Sequence, residues 1–204
     1  MTSSSRGRPR ITTPSRTLSV FFYKPAQRSQ SPNDGWRWWV FVWVPVLVAV
    51  GVIAVESTNT FSARNTSGWL RPVFEHLFGH FKDAAWETLH HYIRKTGHFV
   101  GYGLVGLSFL RAWLYSLVKE RPKTLLTWRL ESCVLAVLST AIVASCDEIH
   151  QAMLPSRTGR VADVLLDTAG AMTMCSMVWL ACWAGRRRSA SRSPTEHEVP
   201  PARR

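Results

Sequence analysis

An all-α integral membrane bundle of about four transmembrane helices is the fold that the sequence predicts, and three observations carry it. Four apolar runs, at about 36–55, 96–118, 130–149 and 161–184, are each long enough to cross roughly 30 Å of hydrocarbon. Ten Trp residues and 46% hydrophobic content concentrate between two polar tails, which is not the make-up of an ordinary soluble domain of 204 residues. The formal net charge of +12 gathers in those tails and in one loop beside the apolar runs. That distribution fits a membrane protein facing anionic lipid and argues against a nucleic-acid partner.

Residues 1–35 are rich in Ser, Thr, Pro and Arg without apolar periodicity, so a disordered basic arm is expected. The first run opens on Trp36, Arg37, Trp38 and Trp39, an aromatic and basic interface, and Pro45 should kink it. It is longer than the apolar core of a secretory signal and no Ala-x-Ala follows it, so a retained anchor is expected. Residues 56–94 form a mixed polar loop with Gly68, Pro72 and Gly79. From about Val73 to Ile93, Phe74, Leu77, Phe78, Phe81, Trp86 and Leu89 recur at roughly helical spacing, which predicts an amphipathic segment on the membrane surface. His76, His80, His90 and His91 fall there and are read as solvated.

Gly97, Gly101, Gly103 and Gly106 give the second run a small-residue face that a neighbouring helix can approach, and that could also pair two copies of the chain. Arg111, near its far end, can snorkel to the interface. A basic loop with Lys119, Arg121, Lys123 and Arg129 leads to the third run. A turn around Pro155 and Gly159 leads to the fourth, and a basic tail at 185–204 is expected to be disordered. The positive-inside rule puts both basic tails and the 119–129 loop in the cytoplasm, and the 56–95 and 150–162 loops outside. Cys133, Cys146, Cys175 and Cys182 lie inside apolar segments without C-x-x-C spacing, so buried small hydrophobes are their expected role.

The unusual polar residues then converge on one level at the outer face. Lys95, His98 and Tyr102 line up on the second run, Asp147, His150 and Gln151 on the third, and Asp163, Asp167 and Gly170 on the fourth, each set at three- and four-residue spacing. Glu148 joins them, and Arg157 and Arg160 occupy the connecting turn. Ionisable groups at the edge of hydrocarbon are costly and mark sites. Asp163 and Asp167 sit near a helix N-terminus, where negative charge is favoured; Asp147 and Glu148 sit near a C-terminus, where it is not. The latter two therefore need a compensating cation, with Lys95, Arg157 and Arg160 the candidates.

Two functions follow. In the first, Lys95, His98, Tyr102, Gln151, Arg157, Arg160, Asp163 and Asp167 bind an envelope lipid, a lipid-linked precursor or a glycopeptide-like amphiphile, the cations holding an anionic head group. In the alternative, the protein is a hydrolase or transferase of a lipid-linked phosphate or sugar, with Glu148 or Asp147 and His150 as acid and base and the arginines stabilising phosphoryl charge. Structural pairing of the same charges is the bland reading of each. A metal site from His98, His150 and Asp163 lacks a compact ligand motif, and no cofactor is implied. A proton-coupled transporter is weaker, because a cluster at one edge gives no polar path across the bilayer.

Lys95-x-x-His98-Phe99-x-x-Tyr102, then Asp147-Glu148-x-His150-Gln151, then Pro155-x-Arg157 and Asp163-x-x-x-Asp167-x-x-Gly170 resemble the VanZ family over roughly residues 36–184. Ser156 stands where that family often has Gly after the proline. The resemblance implies a small integral protein of the bacterial cytoplasmic membrane. Its founding member is associated with low-level teicoplanin resistance, and no settled reaction comes with the family. Extending resistance to this chain is analogy alone.

Overall fold

The computed structural model describes residues 35–117, 124–155, 157 and 159–190. The N-terminal arm before Gly35, Lys119, Arg121 and Lys123 of the basic loop, Ser156 and the tail from residue 191 lie outside the described residues. Five α-helices and one 3-10 turn make up the described chain: α1 (Gly35–Glu56), the turn Asn59–Phe61, α2 (Ala63–Phe78), α3 (Asp83–Ser116), α4 (Leu125–Ala152) and α5 (Val161–Ala190). The protein is thus an all-α membrane bundle. α1, α4 and α5 are long and apolar enough to cross a membrane. α3 is the central helix, packed against α1, α4 and α5 and most extensively against α5. Neighbours on three sides let it carry Lys95, His98 and Arg111, which would be costly on a helix facing lipid.

α3 and α5 run parallel and very close. Gly170 lies against the Phe99 backbone, where a Cβ would stand 2.1 Å from the Phe99 carbonyl oxygen. Gly103 and Gly106 continue the seam against Met174 and Ala171. The four-glycine face read from the sequence therefore splits: Gly101 turns towards Ile53 of α1, and Gly97 has open space around it. Helix periodicity puts residues 103 and 106 on one side and 97 and 101 on others.

The surface segment differs from expectation in register. Its helix, α2, begins at Ala63, and Gly79, at φ +85°, breaks the chain after Phe78. From Asp83 the helix is continuous through Thr96, because neither glycine nor proline interrupts it before Gly97. At ~1.5 Å per residue its 34 residues extend about 50 Å, so its first turns project beyond the hydrocarbon. Gly68 and Pro72, which read as loop punctuation, lie inside α2. α2 docks on that projection: Trp86 is buried, its ring meets Phe74, and its indole N–H donates to Ser67 Oγ at 2.7 Å. His90 stacks on Trp86 and meets Thr66 Oγ1 at 3.1 Å. His90 is therefore buried and not solvated as its loop position suggested. Trp69, Val73, Leu77 and Phe78 are left exposed on α2.

At the opposite end, Pro45 lies inside α1 and cannot donate to the carbonyl of Phe41 four residues back. Arg111 of α3 supplies the missing donor: its Nη1 lies 3.2 Å from Phe41 O and 3.1 Å from Val42 O, and its guanidinium covers the Phe41 and Tyr115 rings. A neighbouring helix re-satisfying a proline-freed carbonyl is what hydrocarbon demands. Arg129, expected in the basic loop, is instead a buried residue of α4, whose first turn is capped by Thr124.

Two outcomes follow from these contacts. Arg111→Met should lower stability in detergent by about 1–3 kcal/mol, and Pro45→Ala should return much of that loss by restoring the backbone donor. Thermal melts of the two single variants and the double variant check it; additive losses would contradict the pairing. The second outcome concerns pH. Burial, and then the nearby Arg94, push the His90 imidazole below its ordinary value of 6.5. With α2 undocked, His90 of α3 is exposed and takes up a proton at higher pH, so docking is complete above about pH 6.5 and weakens as pH falls through it. Amide exchange over residues 63–78 should accelerate on acidification, and His90→Gln should flatten the dependence.

Candidate functional site

The polar residues gather where α4 turns into α5, beside the point at which α3 enters the bundle. Lys95 Nζ pairs with Asp163 Oδ1, and one turn further along the same seam His98 Nδ1 stands 3.6 Å from Asp167 Oδ1. That second separation is an ion-pair distance and too long for a hydrogen bond. Parallel packing of α3 and α5 makes these two pairs successive rungs of one ladder. Asp167 is fully buried and neither of its oxygens has a hydrogen-bond partner.

On the α4 side, Asp147 Oδ2 accepts from the Tyr102 hydroxyl at 2.9 Å and from Gln151 Nε2 at 2.8 Å. All three groups are buried, and Tyr102 stacks on His98. Glu148 Oε2 accepts from the backbone N–H of Arg160 at 2.7 Å, while its Oε1 is buried without a partner. The α4–α5 turn can press this close because residue 159 is glycine; a Cβ there would lie 2.2 Å from the Glu148 carbonyl oxygen. Compensation for the carboxylates at the end of α4 thus comes from a phenol, an amide and a free N–H at the start of α5. No hydrogen bond from Lys95, Arg157 or Arg160 side chains reaches Asp147 or Glu148 among the described contacts.

The arginines hold a strap instead. Arg157 Nη2 donates to the carbonyls of Glu56 at 2.8 Å and Thr58 at 3.0 Å, at the C-terminus of α1, where a cation also suits the helix dipole. Arg94 Nη1 donates to Phe61 O at 2.9 Å. His150 Nδ1 meets the Ser57 hydroxyl at 3.1 Å. Segment 56–61 is thereby tied to α3, to the end of α4 and to the α4–α5 turn. Burial pushes the Arg157 and Arg94 guanidinium groups below the ordinary arginine range. Arg157 Nε is buried without a partner, and the Arg160 side chain stands in an exposed residue at the rim.

The structure therefore brings Lys95, His98, Tyr102, Asp147, Glu148, Gln151, Asp163 and Asp167 to one end of the bundle, as the pair Lys95–Asp163, the series Asp167–His98–Tyr102–Asp147–Gln151, and Glu148 on the Arg160 amide, with Arg157 and His150 on the strap. Ser57 and Arg94 belong to the same constellation. Ser57 carried no spacing signal, since its partner lies 93 residues away; Arg94 donates to Phe61 O, 33 residues away, which no local spacing selects either. Among the described residues no three His, Cys, Asp or Glu side chains converge as a metal cage.

The sequence profile of the VanZ/LLP1 family matches residues 38–182, from the start of the first helix to the last third of α5. No curated protein and no solved structure matches the chain. The match takes in most of every helix of the bundle and every residue of the polar cluster, and the chain belongs to the VanZ/LLP1 family.

Proposed function

We propose that the protein binds the polar head of a membrane amphiphile, such as an envelope lipid, a lipid-linked precursor or a glycopeptide-like molecule, at this end of the bundle. The observation that carries the reading is the set of buried polar atoms left without a hydrogen bond there: Glu148 Oε1, both Asp167 oxygens and Arg157 Nε. Unpaired polar atoms in a low-dielectric site cost free energy until a ligand supplies the partners. Lys95 and Arg160, partly exposed and exposed, give the rim the positive charge that attracts an anionic head group. The helix ends from which the basic tails continue, Gly35 of α1 and Ala190 of α5, are opposite the site, and by the positive-inside rule the site then faces the outer leaflet of the bacterial cytoplasmic membrane with both termini inside.

Ser57 and His150 favour a second reading, hydrolysis of a lipid-linked phosphate or sugar. A histidine nitrogen 3.1 Å from a serine hydroxyl is the arrangement that makes such a hydroxyl nucleophilic. Asp147 and Glu148 would then act as nearby charges, since the described hydrogen bonds tie them to Tyr102, Gln151 and the Arg160 amide and tie His150 to Ser57.

Purified protein incubated with envelope lipid extract, followed by mass spectrometry of bound and free lipid, separates the readings. One lipid retained unchanged, and lost about tenfold from a Glu148→Gln, Asp163→Asn variant of parental helical content, is the expected result. Absence of selective retention by the parent would remove the binding reading. A lipid product made by the parent and abolished by Ser57→Ala and His150→Ala would establish hydrolysis instead.

A further inference from the structure

The unpaired atoms of the site are not a balanced set. Two carboxylate oxygens, Glu148 Oε1 and Asp167 Oδ2, meet no donor, and Asp167 Oδ1 meets only the His98 Nδ1 at 3.6 Å, against a single free donor, Arg157 Nε. Asp167 has no exposed surface and Glu148 is 5% exposed, so solvent does not satisfy them. The cations around them are already engaged. Lys95 is on Asp163, Arg94 is on Phe61 O, and the Nη2 of Arg157 is on Glu56 O and Thr58 O. His98 stays beyond hydrogen-bond length of Asp167, and the Arg160 side chain is at the exposed rim. Asp147, the remaining acid of the cluster, is met by two neutral donors.

What is missing is a group rich in N–H donors and carrying positive charge. A hydroxyl donates once and brings no charge, and a metal ion would need converging ligands that the described residues do not form. A primary ammonium has three donors and no acceptor. The lone free donor, Arg157 Nε, calls for the opposite chemistry, an anionic oxygen close by. Arg157 lies in the same α4–α5 turn that rests on the end of Glu148.

Resting on the binding reading above, we infer that the ligand is a zwitterionic aminophospholipid, whose ammonium enters between α3, α4 and α5 onto Asp167 and Glu148 and whose phosphate meets Arg157. The buried carboxylates receive the amine, and the partly exposed Lys95 and exposed Arg160 stand at the rim. Neutralising the amine therefore removes the deeper half of the recognition and leaves the phosphate half.

The test uses the full-length protein in detergent micelles doped with one lipid at a time: phosphatidylethanolamine, its N-acetylated form, or phosphatidylglycerol. Bound lipid is counted by native mass spectrometry. Phosphatidylethanolamine should be retained at least about tenfold over both others, and Asp167→Asn or Glu148→Gln should erase that preference. Because the comparison of free with acetylated amine is made on the parent protein, it decides the matter even where a variant fails to fold. Equal retention of the acetylated lipid or of phosphatidylglycerol would overturn the amine inference while leaving head-group binding intact. Retention of none of the three would overturn the inference, and the lipid-extract experiment then decides the head-group reading on its own.

Discussion

The backbone of Phe99 and the bare Cα of Gly170 touch, and the polar end of the bundle is arranged around that contact. A side chain at position 170 would need the space that the Phe99 carbonyl fills, since a Cβ would come within 2.1 Å of it. Close approach here, extended by Gly103 and Gly106, fixes α3 and α5 as parallel neighbours at a short interaxial distance. Lys95 then reaches Asp163, and His98 faces Asp167. Moved apart by the width of one methyl group, the helices would leave two aspartates of α5 in hydrocarbon without their α3 partners, a costly outcome for ionised groups.

That constraint explains the division of labour among the charged residues. Carboxylates on α4 and α5 are met from within the bundle, by Tyr102, Gln151, Lys95 and the Arg160 amide. Guanidinium groups, with several donors in a planar fork, are better matched to the carbonyls of an irregular segment, and Arg94 and Arg157 hold residues 56–61 in that way. Arg111 repeats the arrangement at the other end, beside Pro45. Three arginines therefore support backbone that a membrane would otherwise leave unpaired. The charged groups that still have buried atoms without a hydrogen-bond partner, Glu148, Asp167 and Arg157, lie at one end, which is why a head-group site is proposed there; the indole N–H groups of Trp43 and Trp128 and the Ser116 hydroxyl lack partners elsewhere in the bundle.

Much of this was legible in the sequence because its signals are local. Apolar length gave the helices of the bundle, and three- and four-residue spacing put Lys95 with His98 and Tyr102, and Asp163 with Asp167 and Gly170, on shared faces. Long-range choices were not legible. Arg157 and the carboxylates lie near one another in sequence, yet its hydrogen bonds go to carbonyls about a hundred residues away. His150 shares a face with Asp147, but its partner is Ser57, which no spacing rule selects. Gly68 and Pro72 weakened the helical pattern of α2, which docking on Trp86 and His90 restores. Which glycines form the seam depended on the side of α3 that α5 occupies, and only the fold decides that.

The most direct test of the account compares Gly170→Ala with Gly97→Ala, one at the seam and one in open space. Thermal unfolding in detergent should be shifted strongly downward by the first change and left close to the parent by the second, with bound lipid lost from the first alone. A Gly170→Ala protein that melts with the parent and keeps its lipid would contradict the claim that the Phe99–Gly170 contact builds the site.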